Sequence, residues 1–121
     1  MKKIIGIIDD DVLLSEILTT ILENEGFAVK RFSDTIVTNA LEKENIDMLL
    51  LDVWFDNRGD GLKMAKAIVK NRKLRGLPIL MMSSDPNLKE YATKIGIKDY
   101  LNKPIDVELM IRVIRRLSMA D

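Results

Sequence analysis

The stretch Met48–Gly61, MLLLDVWFDNRGDG, runs four apolar residues straight into one carboxylate, Asp52. A short apolar run of this kind is the pattern of a strand buried on both faces, as in a parallel sheet. Asp52 then stands at the strand's C-terminal end. In open α/β sheets that edge is where ligands bind. The polar, glycine-containing segment that follows, Asp56–Gly61, reads as a loop. A lone Asp at a strand end is also an ordinary turn residue, so its meaning depends on the rest of the chain.

Working outward, the same unit of strand then helix recurs on both sides. Upstream, Lys3–Ile8 (KIIGII) reads as a first strand, followed by Asp9, Asp10 and Asp11. Asp11 or Asp10 can cap the next helix, whose apolar stripe is Leu14, Ile17, Leu18, Ile21 and Leu22. Gly26 stops it. Phe27–Phe32 is a second strand, and Ser33 or Asp34 caps a short helix with Ile36, Val37, Ala40 and Leu41 inward. Asp47–Asp52 is the third strand. Downstream, Gly61–Lys73 is a helix with Leu62, Ala65, Ile68 and Val69 buried, and Leu77–Met82 is a fourth strand ending at Ser83 and Ser84. Asp85-Pro86 marks a helix start, a cap followed by proline at the first helical position. Leu88, Tyr91, Ala92 and Ile95 form its inner face, and Gly96 ends it. Ile97–Leu101 is a fifth strand, and Asp106 caps a last helix, Val107–Ser118. Five strand–helix units with short connections imply a parallel sheet with right-handed crossovers and helices on both faces.

Composition narrows the chemistry. At 121 residues, 47% hydrophobic and 31% charged, the chain suits one globular domain, 1–121. Lys plus Arg and Asp plus Glu are 19 each, so no global field favours nucleic acid or acidic membranes. No apolar stretch is long enough to span a bilayer. There is no Cys and no His, which excludes disulfides, thiolate chemistry, imidazole acid–base catalysis and His- or Cys-ligated metals. A metal here has to be hard and oxygen-ligated. The basic cluster Lys63, Lys66, Lys70, Arg72, Lys73 and Arg75 reads as a solvated helix face and turn.

A parallel sheet brings everything that follows its strands to one rim. The first strand delivers Asp9 and Asp10, the third Asp52, the fourth Ser83 and Ser84, and the fifth Lys103. Adjacent carboxylates repel unless protonated or neutralised by a cation. Oxygen ligands at a shallow rim suit Mg²⁺ (or Mn²⁺), which keeps several waters and is completed by phosphate oxygens. A carboxylate with a metal, a Lys and a hydroxyl around it is a site for receiving a phosphoryl group, with Asp52 as nucleophile. Taken singly, Asp10 and Asp11 are helix caps, Ser83 a loop hydroxyl and Lys103 a surface lysine. Their coincidence, each at the end of its own strand, carries the reading.

These residues resemble a family. IIDDD at Ile7–Asp11, LLLD at Leu49–Asp52, DGL at Asp60–Leu62, LPILMMSS at Leu77–Ser84 and DYLNKPI at Asp99–Ile105, in that order and spacing, resemble the receiver (CheY-like) domains of two-component response regulators over essentially the whole chain. The resemblance implies a doubly wound, flavodoxin-like (βα)5 fold with strand order 2-1-3-4-5. It implies a phosphoacceptor module, not a classical enzyme, that assists its own phosphotransfer and dephosphorylation in the cytoplasm. Asp52 would be phosphorylated by a histidine kinase or histidine phosphotransfer protein. Asp10 would ligate Mg²⁺ directly, Asp9 largely through water, Asp52 would share the metal, and the backbone carbonyl of Trp54 would complete the protein ligands. Lys103 would pair with the phosphoryl group, and the Lys103–Pro104 bond would be cis. Ser83 matches the switch hydroxyl, Tyr100 the aromatic that follows it, and Ser84 a small residue giving phosphoryl access. The surface of the fourth helix, fifth strand and fifth helix would carry the signal.

Departures and rivals are few. The loop Val53–Asp60 is about one residue longer than usual, Asp56 stands where Pro is common, and the bulky Trp54 borders the path of the attacking water. A haloacid-dehalogenase-like phosphatase needs a second Asp where Trp54 stands. A flavodoxin-like cofactor binder needs a phosphate-cradling loop where Asp9, Asp10 and Asp11 would repel phosphate. A degenerate receiver acting only as a protein-interaction module is the remaining alternative, and retention of Asp10, Asp52, Ser83 and Lys103 argues against it. The last helix carries more apolar residues than one buried stripe needs, which implies either full packing or a partner or homodimer surface formed on phosphorylation. Direct nucleic-acid binding by this domain is not expected, and the chain reads equally as a single-domain regulator or as a receiver cut from a longer protein.

Overall fold

The computed structural model describes residues 2–9, 11–32, 37–53 and 60–119, with the backbone alone for 37, 38 and 60. The strands are β1 (Ile4–Ile8), β2 (Ala28–Phe32), β3 (Met48–Asp52), β4 (Ile79–Ser83) and β5 (Asp99–Asn102). The helices are α1 (Val12–Asn24), α2 (Val37–Lys43), α3 (Asp60–Lys70), α4 (Leu88–Ile95) and α5 (Val107–Ser118). All pairings are parallel, in the order β2-β1-β3-β4-β5. The expected doubly wound sheet is therefore observed.

β3 lies at the centre because it can be buried on both sides. Met48, Leu49, Leu50 and Leu51 are completely buried, yet they serve two cores. Met48 and Leu50 pack with Leu18, Leu22, Met110 and Ile114 from α1 and α5. Leu49 and Leu51 pack with Leu41, Ala65, Ile68, Leu88 and Ala92 from α2, α3 and α4. Alternation along one strand thus feeds both helical layers. Each such side chain contributes about 1.5–3 kcal/mol through removal from water. This burial fixes the register, and the register fixes where Asp52 emerges.

Helix boundaries follow from local hydrogen bonds. Asp11 caps α1, its Oδ1 accepting from Leu14 N at 3.1 Å, and Asp106 caps α5 in the same way through Leu109 N at 3.2 Å. α4 ends at Gly96, whose φ of +94° is a conformation that glycine adopts without steric cost. The helix expected to start at Pro86 starts two residues later. Asp85 Oδ1 accepts from Asn87 N at 2.8 Å, closing an Asx turn before α4 rather than capping it. α3 stops short of Lys73 because Asn71 turns its side chain back, Oδ1 accepting from Lys73 N and Nδ2 donating to Glu42. A short 3-10 turn, Arg72–Leu74, follows.

Two expected core residues are exposed: Ile17 (48%) and Val69 (37%). Each sits one residue, about 100° of helix, from a centrally buried neighbour, Leu18 or Ile68. The i, i+3, i+4 pattern is too coarse to see that difference. β4 and β5 also lie slightly later than their apolar runs. Ile97 N donates to Ala92 O at the end of α4, so that amide serves the helix end instead of the sheet. On α5, Val107 and Leu109 remain exposed, so the last helix is not fully packed. Ser33, Asp34, Ile36 and the side chain of Val37 lie outside the described residues, as do Asp56 and the rest of 54–59, the segment expected to be longer than usual.

Candidate functional site

The C-terminal ends of β1, β3, β4 and β5 bring four residues to one rim. Asp9 follows β1 directly. Asp52 closes β3 opposite Met82, and Ser83 closes β4 opposite Asn102. The β4–β5 ladder continues one step further, Lys103 N donating to Ser83 O at 2.9 Å, and this sets the root of the Lys103 side chain. The Lys103–Pro104 peptide bond is cis.

Lys103 Nζ then reaches across β4 to Asp52 Oδ2 at 2.6 Å. The Asp52 side chain is only 8% exposed, so its charge is largely out of water and depends on this partner. Asp9 is the second carboxylate. Its Oδ1 accepts from Asp11 N at 2.8 Å, while its Oδ2 is buried and has no hydrogen-bond partner among the described residues. Burial first, and then the negative charge of Asp52, push the Asp9 carboxyl up to about 7. The Asp11 amide and the Lys103 charge work in the opposite direction. Protonated, Asp9 can donate to Asp52; ionised, its Oδ2 is an acceptor with no donor.

An orphaned carboxylate oxygen beside a second, nearly buried carboxylate is a donor set that suits a hard divalent cation. Asp10 and the Trp54 carbonyl, the other expected ligands, lie outside the described residues. Among the described residues no group of three or more acidic side chains gathers.

Ser83 is 3% exposed, and its Oγ accepts from Asp85 N at 3.1 Å. Ser84 is exposed. Tyr100 pairs in register with Met81 and packs partly buried against the core beneath α2, α3 and α4. Asp9, Asp52 and Lys103 are therefore in direct mutual influence, with Ser83 beside them and Tyr100 one strand further out. Asn102 escaped the sequence reading. Its Nδ2 donates to Asp85 O at 2.9 Å and lies 3.5 Å from Ser83 O. An Asn before a Lys-Pro pair looks like a breaker, and only the strand register reveals what it touches.

Comparison with known proteins agrees with this geometry. Residues 5–115 match the family model described as the response regulator receiver domain. The regulatory protein VanRc of Enterococcus gallinarum is 34% identical over 121 residues, covering 97% of this chain and 51% of that protein. The DNA-binding response regulator MtrA of Mycobacterium leprae is 30% identical, covering 100% of this chain and 54% of that protein. The chain thus spans about half the length of these curated relatives. Among solved structures, the receiver domain of NtrX from Brucella abortus superposes with a TM-score of 0.80 at 26% identity, covering 97% of this chain and 99% of that one. The chemotaxis protein CheY4 of Vibrio cholerae superposes at 0.81 with 20% identity, covering 97% and 99%, a likeness of fold alone.

Proposed function

The chain belongs to the receiver-domain family of response regulators, and from that footing we propose that it is a phosphoacceptor module, residues 1–121, switched by phosphorylation of Asp52. The observation that carries the reading is the Asp52 carboxylate, nearly buried at the end of β3, held at 2.6 Å by Lys103 and faced by an Asp9 oxygen with no partner. Asp52 attacks the phosphorus of a phosphohistidine or a small acyl phosphate. The new bond joins an Asp52 oxygen to phosphorus, and the bond from phosphorus to the donor's nitrogen or oxygen breaks, its electron pair leaving with the donor. Lys103 follows the charge from the carboxylate to the phosphoryl oxygens. Asp9, Asp10 and the Trp54 carbonyl would hold Mg²⁺ or Mn²⁺, which when bound neutralises phosphoryl oxygens. Ser83 turns its hydroxyl from the Asp85 amide toward the phosphoryl group, Ser84 leaves room for entry, and Tyr100 moves inward behind Ser83. The α4–β5–α5 surface then presents the signal.

The donor is a histidine kinase or histidine phosphotransfer protein, and the setting is cytoplasmic; no described helix is long and apolar enough to cross a membrane. The exposed Val107 and Leu109 of α5 suit a homodimer contact in the phosphorylated state. A purely structural receiver would have no need of the Lys103–Asp52 pair. Incubation with acetyl phosphate and Mg²⁺, followed by intact-mass measurement, tests the proposal. One phosphoryl mass is expected, lost in Asp52→Asn and in chelator. An adduct that survives Asp52→Asn sinks the assignment.

A further inference from the structure

The β4–α4 turn stands between two opposed attachments. β4 has β3 on one side and β5 on the other. Asp52 closes β3, so a group bound there draws Ser83 toward the β3 side. On the β5 side, Asn102 Nδ2 donates to Asp85 O at 2.9 Å and lies 3.5 Å from Ser83 O. Within the same turn Ser83 Oγ accepts from Asp85 N at 3.1 Å. Movement of the Ser83 hydroxyl toward a phosphoryl group on the β3 side stretches that bond and draws the turn away from β5. We infer that Asn102 is a positioning residue that holds the Ser83–Asp85 turn in the unphosphorylated position and so sets how readily the switch is thrown.

The inference rests on the phosphoacceptor reading and goes beyond it by assigning the restoring force to one side chain. Lys103 and Asn102 are neighbours on the same strand end with opposite tasks. Lys103 points across β4 to Asp52, while Asn102 grips the backbone of the turn. The Ser83–Lys103 ladder bond is main chain and is retained when the Asn102 side chain is removed. Asn102 is exposed, so its removal opens no cavity and leaves the fold intact.

The test is the affinity for beryllofluoride with Mg²⁺, a phosphoryl stand-in, read by NMR titration of the whole chain. The wild-type chain is expected to bind. Asn102→Ala is expected to bind about two- to tenfold tighter, the factor covered by one neutral hydrogen bond lost from the unliganded state only. Without beryllofluoride, the Ser84 and Asp85 amide signals of Asn102→Ala should already lie part-way toward their bound positions. In a Ser83→Ala background the gain should vanish, because no hydroxyl remains to be delivered. Equal or weaker binding by Asn102→Ala overturns the inference, as does a gain that persists without the Ser83 hydroxyl; in either case the phosphoacceptor reading stands. A wild-type chain that binds no beryllofluoride overturns both.

Discussion

Asp9→Asn is expected to make the metal-free chain more stable at neutral and alkaline pH, although it alters a residue of the site. In the folded chain the Asp9 carboxyl is pushed from 3.8 to about 7, first by burial and then by the charge of Asp52. Between those values the folded state holds a proton that the unfolded state has released. Stability therefore declines as pH rises from about 4 to about 7, the opposite of what a salt-bridged carboxylate gives. Undiscounted, a shift of that size corresponds to about 4 kcal/mol. Solvent reaches part of the Asp9 side chain and screens it, which reduces the figure to about 1–2 kcal/mol. The amide of Asn keeps an oxygen for the Asp11 N–H and replaces the orphaned Oδ2 with a donor that can face Asp52.

Urea denaturation in chelator, at several pH values between about 4.5 and 8, reads the difference directly. Variant and wild type should nearly coincide at the acid end and separate by about 1–2 kcal/mol at the alkaline end. Mg²⁺ should then stabilise the wild type by mass action and the variant much less. A separation that does not change with pH, or a variant less stable than the wild type at the alkaline end, would mean that Asp9 meets no uncompensated burial and that the electrostatic account of the rim is wrong.

Three further outcomes follow from the same structure. Lys103→Met leaves the nearly buried Asp52 without its 2.6 Å partner and should cost about 1–3 kcal/mol in chelator, much of it recovered with Mg²⁺; thermal melts with and without the metal decide it. Leu50→Ala removes a fully buried side chain from the central strand and should cost about 2–5 kcal/mol by urea denaturation, with no change in the identity of the phosphorylated residue. Asp106→Ala deletes the cap on Leu109 N and should cost about 1 kcal/mol, seen as earlier hydrogen exchange in the first turn of α5.

The elements most legible in the sequence were those whose signal is local and chemical. The apolar run Met48–Leu51, the caps Asp11 and Asp106, and the stop at Gly96 each act through their nearest neighbours, so their residues announce them. Boundaries were less legible where two local options compete. Asp85 can cap a helix or close an Asx turn, and Asn71 can continue α3 or fold back on Lys73; long-range packing chooses, and it is not written in the dipeptide. Ile17 and Val69 fit the periodicity but fall at the edge of the buried arc. The rim was legible because parallel strands force their ends together, so that listing the residues after each strand predicts that Asp9, Asp52, Ser83 and Lys103 meet. The tether at Asn102 was not, because it depends on the one-residue register Ser83–Asn102.

The charges at the rim explain why such a site waits for ligands. Among the described groups, the ionised free site holds two carboxylates against one ammonium, and the Asp9 carboxyl is raised first by burial and then by the charge of Asp52. A proton on Asp9 relieves the imbalance below about pH 7 but occupies an oxygen otherwise available to a cation. A divalent cation relieves it further and leaves the site with positive charge to spare. A phosphoryl group on Asp52 brings about −1.5 to −2 in place of one carboxylate charge. Aspartate, lysine, metal and phosphoryl group would then come close to neutrality together. On the proposed function, binding of metal and acceptance of phosphate would be coupled through charge at one rim. The Asp85 end of the Ser83–Asp85 turn is held to β5 by the exposed Asn102 side chain, and on the proposed switch it is the part that would move when that charge changes.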